Sequence, residues 1–252
     1  MTQSPGSEGV YGVIPARYAS SRFPGKPLAP IDGKPMILWV VERASQASSL
    51  KQVIVATDHD EIKAVVERAG HTAVMTSPDH PSGSDRVWEV VQALPDAQII
   101  VNIQGDEPMV DPVHLDDLVA ALQDDNRDDD MVTLATPITD PRELDDPNVV
   151  KVVVSQNGLA LYFSRAPIPY CRNQEASKST PYYRHIGLYG YKKSALQAFV
   201  NALPSPLEQT ESLEQLRALE LGLKIRVIEA DTVGVGIDTP ADLARLKTAL
   251  KQ

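Results

Sequence analysis

The first half of the chain alternates short apolar runs, rich in β-branched residues, with segments in which apolar residues recur at helical spacing. The runs predict strands at 10–14, 52–57, 71–76 and 98–104. The helical segments predict helices at 35–47, 58–70, 85–94 and 112–122. We expect Asp58 and Glu61 to form a capping box at the start of the second helix. Strands that each lead into a helix indicate βαβ units, and therefore a largely parallel sheet.

After residue 130 the apolar runs are closer together and predict strands at 131–137, 149–155, 159–164, 185–191 and 223–230. Predicted helices at 194–203, 211–221 and after a Thr239 cap complete the chain. Asn157-Gly158 is a strong hairpin signal, so this part is expected to be antiparallel. The fold class is thus α/β, with a doubly wound, mostly parallel sheet and an inserted antiparallel lobe at about 131–222. We assign 1–9 to a flexible N-terminal tail and 10–252 to a single domain.

Composition excludes several classes of protein. The formal net charge of -10 argues against general nucleic-acid binding, which needs a basic face for the phosphates. The single cysteine, Cys171, excludes an intramolecular disulfide and a Cys-rich zinc site. The N-terminus has neither the basic nor the apolar part of a signal peptide, and no apolar run is as long as a membrane span. We therefore expect a cytoplasmic protein with no membrane partner.

Three cations, Arg17, Arg22 and Lys26, lie in the loop that follows the first strand. Ligands of doubly wound sheets bind beyond the carboxyl ends of the strands, and clustered cations suit a triphosphate. A solvated basic loop is the alternative. The chain has no GxGxxG after a strand and no Gly-Lys followed by Ser or Thr, which disfavours Rossmann dehydrogenases and P-loop ATPases.

Two aspartates are candidate metal ligands. Asp106 follows the fourth strand in the segment QGDEP, and Asp238 lies in GIDTP. Magnesium prefers one or two carboxylates together with phosphate oxygens and water. Each aspartate alone is more typical of a turn or a helix start. Together with the cationic loop they predict a metal and triphosphate site.

The chain resembles the 3-deoxy-manno-octulosonate cytidylyltransferases along nearly its whole length. The resemblance is carried by eight segments in order between Val10 and Leu246: IPARYASSRFPGKPL, VATDHDEI, DHPSGSDR, VNIQGDEP, LYFSRAPIP, RHIGLYGY, SPLEQTESLEQLRAL and GIDTPADL. It implies a fold of the nucleotide-diphospho-sugar transferase type, a homodimer, and transfer of CMP from CTP to the eight-carbon acid sugar Kdo for lipopolysaccharide or another Kdo-containing glycan.

The resemblance also implies roles for individual residues. Catalysis would fall to Arg17, Lys26, Asp106 and Asp238, with Mg²⁺ between the two aspartates. The nucleotide would contact Arg17, Arg22, Lys26, Ser82, Gly83, Arg86 and Gln104. The sugar acid would contact Gln104, Arg165, His185, Tyr189, Glu214 and Gln215, with Arg165 and His185 as hydrogen-bond donors.

Other functions remain open at this stage. A CMP-sialate synthetase would share the metal and the cationic loop but use a nine-carbon acid. A glycosyltransferase would release a nucleoside diphosphate instead of pyrophosphate, and a non-catalytic relative would bind the nucleotide without turnover. His185 and Tyr189 could also be ordinary packing residues of a strand.

Overall fold

The structure is a computed structural model. It describes residues 7–19, 23–172, 181–231, 234, 236–237 and 239–249. The chain divides into two compact units, Met1–Ala120 with Gly234–Gln252, and Ala121–Val233. The assignment of 10–252 to a single domain stays a prediction.

The first unit contains a sheet of four parallel strands. They are β1 (Val10–Ala16), β4 (Gln52–Thr57), β5 (Thr72–Met75) and β6 (Ile99–Asn102), in the spatial order β6-β1-β4-β5. The chain runs outwards from β1 to β5 and then returns to the other side of β1. The strand order therefore reverses between β1 and β6, and ligands of such sheets bind at the carboxyl ends beside this point.

A small hairpin was missed by the sequence analysis. Strands β2 (Pro30–Ile31) and β3 (Lys34–Pro35) are antiparallel and are joined by Asp32 and Gly33, which have positive φ angles of 47° and 81°. An Asp-Gly pair is the usual choice for a two-residue turn of this kind, because both central residues need positive φ. The hairpin leads directly into the first helix.

The helices of the first unit lie close to their predicted positions. They are α1 (Met36–Ala44), α2 (Asp60–Arg68), α3 (Gly83–Gln92), α4 (Pro112–Leu122) and the C-terminal helix α9 (Pro240–Ala249). The predicted capping box of α2 is wrong, since His59 precedes the helix and no side chain caps it. The Thr239 cap is confirmed by the Asp242 backbone N–H, which donates to the Thr239 hydroxyl at 3.3 Å.

The second unit is mainly antiparallel, as predicted. Its strands are β7 (Met131–Pro137), β8 (Lys151–Val154), β9 (Ala160–Ser164), β10 (Tyr183–Lys192) and β11 (Ile225–Glu229). Strand β7 pairs antiparallel with β10 and parallel with β11, and β8 pairs antiparallel with β9 and β10. Gly158 has a φ of 81° in the β8–β9 hairpin, which agrees with its turn signal.

The second unit also contains short helices. They are α5 (Pro141–Asp145), α6 (Lys193–Asn201), α7 (Pro206–Glu211) and α8 (Gln215–Glu220). The single helix predicted at 211–221 is wrong, because the chain breaks at Ser212, which has a φ of 52°. Arg217 of α8 reaches back to Glu208 of α7 through a largely buried ion pair of 2.8 Å, which fixes the break. Every helix within the described ranges falls short of what a membrane span needs in length or apolar character.

A buried lysine organises the loops of the second unit. Lys151 is 0% exposed, and its Nζ donates to the carbonyl oxygens of Asp146, Val149 and Arg165 at 2.9, 2.6 and 2.6 Å. Three carbonyl oxygens around one ammonium group satisfy its three donors. The contact ties the loop before β8 to the chain segment that begins after β9.

The substitution Lys151→Met is expected to lower the free energy of unfolding by about 3 kcal/mol, because the carbonyl oxygens of Val149 and Arg165 lose the ammonium donor, while that of Asp146 keeps the Val149 backbone N–H. Urea unfolding of the two proteins measures this loss. Lys51→Met is the matched control, since Lys51 pairs with Asp96 at the surface and its side chain is 33% exposed. Equal shifts of the unfolding midpoint in the two variants would contradict the role given to Lys151.

Candidate active site

A cavity of about 270 Å³ lies in the first unit, at the carboxyl ends of β1 and β6 where the strand order reverses. It is lined by Pro15, Ala16, Arg17, Lys26, Pro27, His80, Pro81, Ser82, Gly83, Arg86, Gln104, Gly105 and Asp106. The lining includes every described residue that the sequence analysis assigned to the nucleotide. The structure thus brings these residues together from three separate segments of the chain.

A cation and a carboxylate meet inside this cavity. Lys26 Nζ lies 2.6 Å from Asp106 Oδ2, with the two side chains 15% and 30% exposed. Gly25, which has a φ of 69°, begins the short 3-10 helix Lys26–Leu28 and donates its N–H to the carbonyl oxygen of Tyr18 at 3.0 Å. This turn closes the loop and directs Lys26 towards the end of β6.

The turn after β6 approaches the end of β1 very closely. A Cβ atom added to Gly105 would lie 2.8 Å from the carbonyl oxygen of Pro15, so a larger residue would push the two segments apart. Glycine at this position therefore lets Gln104 and Asp106 line the same cavity as the residues that follow β1.

A buried ion pair anchors the cationic loop. Arg86 is 3% exposed and donates to Asp58 Oδ2 at 2.9 Å and to the Thr76 hydroxyl at 2.5 Å. The other oxygen of Asp58 accepts the backbone N–H of Tyr18 at 3.1 Å. Asp58, predicted as a helix cap, instead joins the loop to α3. The sequence carries no signal for this role, because the two partners lie 40 and 28 residues away.

His80 is another cavity residue that the sequence analysis missed. Its Nε2 contacts Glu89 Oε2, and the same oxygen accepts the backbone N–H of Ser77 at 3.0 Å. Nearby, the Ser82 hydroxyl accepts the backbone N–H of Asp85 at the start of α3. These contacts fix the segment that leads into the helix and place Gly83 at the wall of the cavity.

The described part of the proposed metal site is the Asp106 carboxylate. Asp238 and Arg22 lie outside the described residues. The neighbour of Asp238, Ile237, donates its backbone N–H to the carbonyl oxygen of Asp106 at 2.9 Å and is 0% exposed. Among the described residues no group of three or more His, Cys, Asp or Glu side chains could hold a metal ion. A carboxylate in a cavity that also contains cations nevertheless suits Mg²⁺, which takes oxygens from phosphates and water as well.

The second unit brings together aromatic and polar residues that were assigned to the sugar acid. The His185 ring lies edge-on to Phe163 at 5.0 Å and tilted against Tyr189 at 5.4 Å between ring centroids. Its Nε2 lies 3.0 Å from the Thr133 hydroxyl. Burial lowers the pKa of His185 to about 3, so the imidazole is neutral near pH 7. Thr133 was not expected from the sequence, because it lies on β7, opposite the strand that carries the histidine.

Tyr189 ends in a buried hydroxyl. Its side-chain oxygen lies near the Thr133 hydroxyl but forms no well-aligned hydrogen bond with it or with another described residue. Burial, together with the nearby Tyr191 and Glu214, raises the pKa of Tyr189 well above its usual range. The hydroxyl is therefore protonated and can donate. A buried, unpaired donor is costly unless a ligand or water satisfies it.

Arg165 is held by the backbone. Its guanidinium donates to the carbonyl oxygens of Glu211, Pro147 and Ser212 at 2.7, 2.8 and 3.2 Å. The Glu211 carboxylate accepts the backbone N–H of Arg165 at 3.0 Å. Because this guanidinium has five N–H groups, others remain for an anion.

Glu214 and Gln215 lie at the start of α8. Gln215 is buried, and Glu214 Oε1 lies 3.5 Å from Nη2 of Arg217. Both residues therefore lie at the start of a helix that is tied to α7 by the same arginine.

Residues 11–225 match the family described as Cytidylyltransferase. The chain belongs to the cytidylyltransferase family. It is 51% identical to the 3-deoxy-manno-octulosonate cytidylyltransferase of Syntrophotalea carbinolica, with 96% of this chain and 98% of the relative covered. It is 46% identical to the 8-amino-3,8-dideoxy-manno-octulosonate cytidylyltransferase of Shewanella baltica, over 94% and 97% of the two chains.

Solved structures agree with this assignment. The structure of CMP:2-keto-3-deoxy-manno-octonic acid synthetase complexed with CTP matches this cytidylyltransferase with a TM-score of 0.91 and 44% identity, over 96% of this chain and 98% of the other. A 4-diphosphocytidyl-2C-methyl-D-erythritol synthase from Anaerococcus prevotii, 15% identical with a TM-score of 0.65 and covering 98% and 100% of the two chains, shares the fold. The resemblance found in the sequence and the α/β fold class are both confirmed.

This cytidylyltransferase is expected to become less stable as the pH is lowered, because of His185. The unfolded chain binds a proton at this residue below about pH 6.5, whereas the folded chain binds it only near pH 3. The contribution of neutral His185 to the free energy of unfolding is complete above pH 6.5. It is lost as the pH falls towards 3, by up to about 1.4 kcal/mol per pH unit.

The measurement is the free energy of unfolding of the wild type minus that of His185→Gln, from pH 4 to 8. We expect the difference to be flat above about pH 6.5 and to decrease below it. A difference that does not change with pH would show that the folded and unfolded chains protonate His185 alike.

Proposed function

We propose that this chain transfers CMP from CTP to the anomeric hydroxyl of 3-deoxy-D-manno-octulosonate (Kdo) and releases pyrophosphate. The CMP-Kdo would serve the synthesis of lipopolysaccharide or another Kdo-containing glycan. The observation that carries the proposal is the cavity that joins Lys26 to Asp106, in a chain that is 51% identical to a Kdo cytidylyltransferase. Magnesium dependence, a homodimer and a cytoplasmic location belong to the same proposal.

The cations of the cavity bind the triphosphate. Arg17 is exposed at the cavity wall and free to turn towards a ligand, whereas Lys26 is already held beside Asp106. Both neutralise charge that grows on pyrophosphate as it leaves, together with Arg22. Arg86 is too deeply buried to follow a moving phosphate, and it acts through Asp58 by holding the backbone of the loop in place.

Asp106 and Asp238 would hold Mg²⁺. When bound, the ion offsets the repulsion between the acid sugar and the α-phosphate and orients both. The Asp106 carboxylate accepts a hydrogen bond from the Lys26 ammonium, so the two side chains hold each other in place. The backbone contact from Ile237 to Asp106 supports pairing the two aspartates.

The polar residues of the second unit bind the sugar acid. A carboxylate needs a cation, which Arg165 supplies through the N–H groups that do not contact carbonyl oxygens. The Tyr189 hydroxyl donates to an oxygen of the sugar. His185 is neutral and therefore contacts a hydroxyl rather than the acid group.

The reaction is an in-line displacement at phosphorus. The anomeric oxygen of Kdo forms a bond to the α-phosphorus of CTP, the bond from this phosphorus to the bridging oxygen of pyrophosphate breaks, and the hydroxyl proton passes to solvent. No protein nucleophile takes part. Correct orientation and charge stabilisation supply the rate enhancement.

The purified protein is expected to release pyrophosphate when CTP, Kdo and Mg²⁺ are all present. The assay runs beside reactions with ATP or UTP, with sialic acid or 8-amino-3,8-dideoxy-manno-octulosonate, and with EDTA. Faster turnover of the 8-amino sugar would assign that substrate instead, and turnover of sialic acid alone would assign a CMP-sialate synthetase. CTP binding without turnover of any acid sugar would contradict the proposal.

Asp106→Asn is expected to reduce kcat by about a thousandfold, because it removes a negative charge from the metal site while keeping the side-chain shape. Asp96→Asn is the control, since Asp96 lies at the surface and pairs with Lys51. Steady-state kinetics and a thermal melt of both variants separate loss of catalysis from loss of folding. Near-normal turnover by folded Asp106→Asn would show that catalysis does not need Asp106 as a metal ligand.

The contacts of Asp58 argue against a metal-dependent glycosyltransferase. Asp58-His59-Asp60 follows β4 with the Asp-x-Asp spacing that metal-dependent glycosyltransferases use. Both oxygens of Asp58 already accept hydrogen bonds, one from Arg86 and one from the Tyr18 backbone. Asp58 therefore holds the loop rather than a metal ion, which disfavours a glycosyltransferase.

A further inference from the structure

Thr133 lies at an irregular point of the sheet in the second unit. It is 0% exposed on β7, and the register of β7 with β10 slips between Ile186 and Tyr189. Its hydroxyl oxygen lies 2.8 Å from the carbonyl oxygen of Leu188 and 3.1 Å from that of Ile186. The β-bulge therefore turns two carbonyl groups towards one side chain.

The hydrogen of the Thr133 hydroxyl points towards the carbonyl groups of the bulge. A threonine hydroxyl carries one hydrogen, and a carbonyl oxygen can only accept. If the hydrogen pointed elsewhere, the Thr133 oxygen would face two carbonyl oxygens at 2.8 and 3.1 Å with nothing to offset their repulsion. The hydroxyl therefore donates to the bulge, and Leu188 is the nearer acceptor.

The position of this proton decides the tautomer of His185. His185 Nε2 lies 3.0 Å from the same Thr133 oxygen. Because the hydroxyl proton is already used, this oxygen can only accept from the ring, so Nε2 carries the hydrogen. A neutral imidazole has one N–H, which leaves Nδ1 as an acceptor. Among the described residues Nδ1 has no hydrogen-bond partner, and although most of His185 is buried, part of the residue is accessible to solvent.

We propose that Thr133 is a positioning residue that fixes His185 as the Nε2–H tautomer, so that Nδ1 accepts a hydrogen bond from a hydroxyl group of the sugar acid. The identity of the ligand rests on the proposed function, whereas the tautomer does not. His185 was expected from the sequence to donate, and the geometry reverses that role. An acceptor here selects a hydroxyl and disfavours an ether, a carbonyl or a carboxylate at the same position.

The first test reads the tautomer in the free protein. Nitrogen NMR of protein labelled with ¹⁵N-histidine separates protonated from unprotonated ring nitrogens, and the His185→Gln spectrum identifies the signals of His185 among the five histidines. At pH 7 we expect a protonated Nε2 and an unprotonated Nδ1. A protonated Nδ1, or a ring that exchanges between both forms, would overturn the proposal.

The second test is the pair Thr133→Ser and Thr133→Val. Serine keeps the hydroxyl and is expected to keep both the tautomer and the KM for Kdo. Valine has nearly the same shape without the hydroxyl, so the ring should populate both tautomers, and the KM for Kdo should rise about tenfold while the KM for CTP is unchanged. A purely structural role would instead lower stability and leave the tautomer as in the wild type, which would overturn the assignment.

The two proposals fail in different ways. If no acid sugar is turned over, the proposed function is wrong, but the spectrum of the free protein still decides the tautomer. If Thr133→Val does not fold, the spectra of the wild type and Thr133→Ser decide it. The Nε2–H tautomer together with an unchanged KM for Kdo in folded Thr133→Val would refute the contact with the sugar.

Discussion

The parallel pairing of β1 with β4 on one side and β6 on the other is the constraint on which the nucleotide cavity depends. It places the turns after β1 and β6 side by side, although about 90 residues separate them along the chain. Opposite charges that would be unrelated in an extended chain become neighbours. The close approach at Gly105 then sets their separation. The order of the strands therefore decides which charged residues line the cavity, and individual contacts then set the distances between them.

The two sets of candidate residues differ in electrostatic character. The cavity of the first unit combines Arg17, Lys26 and Asp106, and suits a highly charged ligand whose charge moves during reaction. In the second unit His185 and Tyr189 are themselves neutral at pH 7, because burial disfavours the charged form of both side chains, and the charged candidates there are Arg165 and Glu214. Neutral donors and acceptors suit a polyhydroxylated ligand. Although the chain has a net charge of -10, Arg17 and Lys26 line one cavity, where we propose that the phosphates bind.

The sequence predicted the regular part of this structure well. Strand β4 and helix α4 begin and end at the predicted residues, because apolar periodicity is a local property. Lys26 and Asp106 were both expected at the carboxyl ends of the strands, since residues that follow parallel strands share one edge of the sheet, and the structure brings them together there. Asp58 was misassigned, because its local signal of a helix cap is overridden by a buried arginine 28 residues later. Thr133 could not be found at all, since its role depends on the register of two strands and on a bulge. Short-range patterns predict elements, whereas hydrogen-bond partners across strands come from tertiary structure.

Lys151 occupies the position that a bound metal ion holds in many loop-rich proteins, with three carbonyl oxygens directed at a single positive charge. The charge is covalently part of the chain, so it cannot dissociate or be removed by a chelator. The loops around Lys151 are therefore held by a charge of the chain itself, and under the proposed magnesium dependence a chelator would stop turnover while these contacts stay in place.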